Sequence, residues 1–94
     1  MAVDPSFSGS HVHLARLHLE QNEPHLALAL LDKAETLAAA DPESAAEIAT
    51  LRGLALEQLG HRNAARQAYE QALSLTPDDG RARAGLARTG GQPR

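Results

Sequence analysis

The chain reads as an all-α protein, a right-handed stack of two helix-turn-helix hairpins closed by a C-terminal capping helix. Three observations lead there. Apolar residues recur at three- and four-residue spacing, and nothing alternates with period two. Two stretches match at an offset of 38 residues, Ala15 on Gly53, Ala27 on Ala65, Leu31 on Tyr69 and Ala34 on Ala72. Small and large residues repeating at helical spacing are the signature of stacked hairpins, which bury their apolar faces against one another. Finally, only 2% of the 94 residues are aromatic (Phe7 and Tyr69) while 43% are hydrophobic, so the core must be built from Leu and Ala at close helix–helix distance.

Taken in order, residues 1–9 form an irregular lead-in with Pro5, Gly9 and two serines. Ser10 is placed to cap a first helix, along which Val12, Leu14, Ala15, Leu17 and Leu19 make a broad apolar stripe. Asn22 to Pro24 interrupts it, and Pro24 suits the first turn of a second helix because that turn needs no amide there. This helix is expected over Leu26 to Ala40, with Leu30, Leu31, Ala34 and Leu37 on one side. Asp41-Pro42-Glu43 then supplies a cap, a first-turn proline and an acid at the positive end of the helix dipole. The third helix carries Ile48, Leu51, Ala55, Leu56 and Leu59 and stops at Gly60, a residue suited to a left-handed C-cap. A fourth spans Asn63 to Leu75 and ends before Pro77. Asp78 or Asp79 is expected to cap a fifth that ends near Thr89, followed by a tail over 90–94.

The expected organisation is therefore a lead-in over 1–9 and one repeat domain over 10–89. Its first unit falls at about 10–40, its second at about 42–77 and its capping helix at about 79–89. Without cysteine there are no disulfides or thiolate metal sites. The longest apolar run, Leu26 to Leu31, is too short to cross a bilayer, and residues 1–6 lack the basic flank and apolar stretch of a signal peptide. A cytoplasmic location is the default expectation. Net charge is −3 overall but unevenly spread: residues 1–47 hold eight acids against Arg16 and Lys33, and residues 48–94 hold seven arginines against four acids.

The segment from Ala46 to Asp79 resembles a tetratricopeptide repeat. Gly53 and Leu56 match the small and bulky stations of that family's first helix, and Ala65, Tyr69, Ala72 and Pro77 those of its second. The first copy, through Leu14-Ala15, His18, Ala27, Leu31 and Ala34, is looser and has a longer second helix, which accounts for an offset of 38. Leu86-Ala87 fit the first helix of a third unit, so the resemblance covers roughly 10–88. Arg52 stands where Leu is usual, which predicts a thin edge to the core there.

The resemblance implies a concave groove lined by the first helices. Carried over station by station, its residues are Val12, Arg16, Leu19 and Glu20, then Glu47, Thr50, Leu54, Glu57 and Gln58, with Arg81, Ala84 and Arg88 from the last helix. Leucines among arginines and glutamates suit an extended peptide or an amphipathic helix. Some family members grip a terminal carboxylate with Lys and Asn, but the equivalent stations hold Val12, Arg16 and Leu51, so a clamp of that kind is not expected. His11, His13, His18 and His25 lack the i, i+4 convergence of metal ligands, and no cofactor is expected; they leave open a pH-sensitive surface. Arg81, Arg83, Arg88 and Arg94 lack the interleaved aromatics of a nucleic-acid footprint. No nucleophile elbow or phosphate-cradling loop suggests an enzyme. The expected function is a protein–protein interaction module, as an adaptor, scaffold or co-chaperone-like unit. The alternative is a self-assembling structural protein, including a homo-oligomer, whose acidic N-terminal half meets the basic C-terminal half of a neighbour.

Overall fold

The computed structural model of the chain describes residues 8–37 and 42–90. They form five helices, α1 (Ser8–Glu20), α2 (Pro24–Leu37), α3 (Pro42–Gln58), α4 (Arg62–Leu75) and α5 (Gly80–Arg88), with no strand among the described residues. Helix α1 packs on α2 and α3 on α4 as hairpins; α2 then packs on α3 and α4 on α5, while α1, α3 and α5 adjoin in sequence.

The helix boundaries follow local chemistry. Helices α2 and α3 both open on proline, as the sequence predicts. Helix α1 begins at Ser8, so Ser10 lies inside the helix and does not cap it. The expected end of the second helix at Ala40 and the Asp41 cap fall outside the described residues. The two intra-hairpin turns are the same turn built twice. Asn22 and Gly60 both adopt positive φ, 61° and 84°. The amide of the following residue, Glu23 or His61, bonds back to His18 or Leu56, at 2.8 and 2.9 Å. This is the Schellman closure of a helix end, with Asn standing in the first hairpin where Gly stands in the second. Helix α4 starts at Arg62 behind His61, which makes no side-chain cap bond. Helix α5 is capped by Asp79, whose carboxylate accepts from the amides of Arg81 (3.0 Å) and Ala82 (3.2 Å).

Two core clusters result. The first joins Val12, Ala15 and Leu19 of α1, Ala27, Leu31 and Ala34 of α2, and Ile48, Leu51 and Ala55 of α3. The second joins Ala49 of α3, Ala65, Tyr69 and Ala72 of α4, and Ala82 of α5. Leu54 packs against both. Helix α3 is thus buried on several sides, which is why its sequence carries small and apolar residues around much of its circumference.

Tyr69 governs the second cluster. Its ring is fully buried, and it is the largest of the fully buried side chains. A Cβ added to Gly53 would fall 2.6 Å from its Cε1, and one added to Gly85 would overlap its Cζ. The ring therefore fills a space that two glycines on two different helices leave open. Gly85 takes this role two residues ahead of Ala87, the expected small station, and Ala87 is exposed. The third unit begins early because α5 follows Pro77 after only a short turn. Arg52 does not leave a thin edge: it bridges Asp32 (3.0 Å) and Glu35 (3.1 Å) of α2, tying the two hairpins together.

Alanine ordinarily stabilises a helix interior by about 1 kcal/mol over glycine. Here the added methyl must displace a buried ring, and overpacking costs about 1–3 kcal/mol. Gly53→Ala and Gly85→Ala should each lower stability in urea denaturation. In a Tyr69→Leu background the same substitutions should become neutral or stabilising, so a double-variant cycle checks the contact directly.

Candidate functional site

The adjoining first helices of each unit, α1, α3 and α5, form one face of the stack, and a shallow depression of about 260 Å³ opens on it. Arg16, Leu19 and Glu20 come from α1, Leu51, Leu54 and Gln58 from α3, and Arg81 from α5. The leucines form the floor. Gln58 fixes one edge by donating from its carboxamide to the Leu19 carbonyl, at 2.9 Å, across the two units.

Charge is arranged around a single carboxylate. Glu47 lies 3.5 Å from Arg16 on one side and 4.0 Å from Arg81 on the other, so an ion ladder crosses all three helices. Both arginine side chains are about half exposed, at 47% and 53%. Contacts this long and this wet contribute little to stability, and they leave N–H donors free for another acceptor.

Of the residues expected in the groove, Arg16, Leu19, Glu20, Leu54, Gln58 and Arg81 line the depression, and Glu47 sits between its two arginines. Four lie elsewhere. Thr50 is wholly buried, its hydroxyl within bonding distance of the Ala46 carbonyl (3.0 Å) and Asp79 Oδ2 (3.2 Å), so it locks the start of α5 onto α3. Val12 belongs to the first core cluster. Glu57 and Arg88 pair with one another at 2.8 and 3.2 Å, away from the depression. Leu51 was to be expected only at a clamp station, yet it contributes to the floor; its signal was its place one turn before Leu54.

Glu57 also accepts a bond of 2.5 Å from the Tyr69 hydroxyl. The Arg88 guanidinium holds the Glu57 carboxyl below its ordinary value of 4.5, the Tyr69 hydroxyl helps, and partial burial opposes both. Burial and the adjacent carboxylate push the Tyr69 hydroxyl far up, so it stays a donor throughout the neutral range. Arg88 is raised in turn, chiefly by its bond to Glu57. This triad is structural: it fastens α5 by charge where Tyr69 already fastens it by shape.

The histidines do not converge. His18 Nδ1 lies 2.7 Å from Glu23, His13 and His25 are exposed, and no group of three metal-ligating side chains occurs among the described residues. No helix among the described residues is long and apolar enough to cross a membrane.

A family model for the tetratricopeptide repeat-like domain matches residues 9–86. The class is that of helical repeat proteins, a class whose members commonly mediate protein interactions, and the chain belongs to the tetratricopeptide repeat-like family. No curated protein and no solved structure matches it.

Because the folded-state value of Glu57 is depressed, its contribution to stability is fully present above 4.5 and is lost as pH falls through the lowered value. Stability measured by urea denaturation across acid pH should therefore fall more steeply for the wild type than for Glu57→Gln. Parallel curves would mean that the pair contributes nothing.

Proposed function

We propose that this domain is a protein–protein interaction module, an adaptor or scaffold unit that binds a peptide or amphipathic helix across the α1, α3 and α5 face. The stack is read as right-handed with α5 as its cap, so that this face is the concave one. The observation that supports the reading best is the depression itself, in which an apolar floor of Leu19, Leu51 and Leu54 lies beside two half-exposed arginines that share one glutamate. A ligand with an apolar anchor would gain about 1.5–3 kcal/mol from burying it. A neighbouring carboxylate would take the donors that Arg16 and Arg81 leave free, with the forked geometry that guanidinium offers. The role proposed is binding and not catalysis; the Glu57, Tyr69 and Arg88 triad is occupied in holding α5. A location in the cytoplasm remains part of the proposal.

The arginines are the better probes, because Leu54 also supports both core clusters. Peptides selected on the full chain from a displayed random library should lose about tenfold or more in affinity, 1.4 kcal/mol, for Arg16→Glu, Arg81→Glu. Helicity by circular dichroism should be unchanged. Selection that enriches no peptide, or peptides that bind the double variant undiminished, would move the site off this face.

A further inference from the structure

Among the aspartates and asparagines of the chain, Asp79 alone precedes glycine. A backbone amide nitrogen can attack the side-chain carboxyl of the residue before it. The step is slow where a β-carbon crowds that nitrogen, and glycine has none. Asp4 and Asp41 precede prolines, whose nitrogens carry no proton, and Asp32, Asp78, Asn22 and Asn63 precede residues with side chains. The fold itself gives no reason for glycine at position 80. Its φ is not positive, and a Cβ there would meet nothing within 4 Å.

The same carboxyl is the cap of α5. Asp79 Oδ1 accepts from the Arg81 and Ala82 amides, and Oδ2 lies 3.2 Å from the Thr50 hydroxyl. With φ −69° and ψ 107°, the backbone of Asp79 is extended and turns the Gly80 nitrogen away from the Asp79 Cβ. Attack therefore requires the cap to open and the Cα–C bond of Asp79 to rotate. What keeps the cap shut is the seating of α5. Its nine residues are too few to persist alone, and they are held by the Tyr69 ring at Gly85 and by Arg88 on Glu57.

We propose that the Asp79–Gly80 bond is a site of spontaneous isoaspartate formation, restrained by the seating of α5, and that conversion there unseats the helix. With the cap open, the Gly80 nitrogen bonds to Cγ of the protonated Asp79 carboxyl. The amide proton and the carboxyl OH leave as one water, and a succinimide ring remains. Water then adds at either ring carbonyl. Breaking the bond from Cγ to nitrogen restores aspartate. Breaking the bond from the main-chain carbonyl carbon to nitrogen leaves the chain running through Cβ and Cγ, with the α-carboxylate as a branch. That product has one more methylene in the main chain, and its free carboxylate sits directly on Cα. It cannot reach the Arg81 and Ala82 amides and the Thr50 hydroxyl as the native side chain does. Helix α5 then does not reseat, and Arg81 leaves its place at the depression with it.

Peptide mapping of the full chain, aged in neutral buffer at physiological temperature, tests this. Trypsin yields residues 67–81 as one peptide, and fragmentation at the Cα–Cβ bond of isoaspartate locates it within that peptide. The product should accumulate at position 79 and not at 78, at least about tenfold more slowly than in the same chain held in urea. Thr50→Val and Arg88→Ala, which loosen opposite ends of α5, should each bring the rate toward the urea value. Gly80→Ala, for which the structure has room, should slow conversion about tenfold or more in both conditions. Limited proteolysis reads the consequence: cleavage after Arg83 should rise with ageing in the wild type and stay low in Gly80→Ala. A folded chain that converts as fast as in urea, no acceleration in either loosened variant, equal conversion at Asp78, or proteolysis that rises equally in Gly80→Ala would each overturn the proposal.

Discussion

The Tyr69 ring, seated between Gly53 on α3 and Gly85 on α5, is the contact from which the second half of the molecule takes its arrangement. Its size demands that both flanking positions lack a side chain, and its burial fixes how near α4 can come to each neighbour. Its hydroxyl, deep in the packing, needs an acceptor and finds Glu57 on α3. That carboxylate needs a cation and finds Arg88 at the end of α5. One side chain thereby sets the register of a nine-residue helix that is too short to be stable alone. The Asp79 cap and the buried Thr50 hydroxyl hold the other end of the same helix. The α5 side of the depression, and with it Arg81, is positioned by these contacts.

Part of the uneven charge along the chain is used in ion pairs between units. Arginines of a later unit reach back to acids of the one before: Arg52 to Asp32 and Glu35, Arg81 to Glu47, Arg88 to Glu57. Arg52 and Arg81 join the basic second half to the acidic first, whereas Arg88 and Glu57 both lie in the second half and Arg16 reaches forward to Glu47. Each exposed pair contributes only about 0–1 kcal/mol. Together they tie consecutive units to one another.

How much of this was legible in the sequence depends on the kind of contact. Helix number, the Gly60 turn, the Pro24 and Pro42 starts and the Ala and Leu core follow from local rules, and they appear where those rules put them. Ser10 failed as a cap because Ser8 already begins the helix. Gly85 was hidden because the family spacing pointed to Ala87, and only the ring of Tyr69 reveals which small residue is needed. Thr50 and Glu57 match groove stations by number, but side-chain direction and a nearby partner decide their use: one turns into the α3–α5 junction, the other to Tyr69 and Arg88. Periodicity yields the face of a helix. It does not yield which polar group on that face is already occupied.

Tyr69 is also the one tyrosine in a chain without tryptophan. All of the long-wavelength ultraviolet absorption of the polypeptide therefore arises from a single phenol, and that phenol is clasped by a carboxylate at the junction of α3, α4 and α5. A phenol hydrogen-bonded to a carboxylate emits weakly, and one released into water emits more strongly. The molecule thus carries an unlabelled optical gauge at the seat of its last helix, reading the attachment of α5 separately from the helicity of the whole.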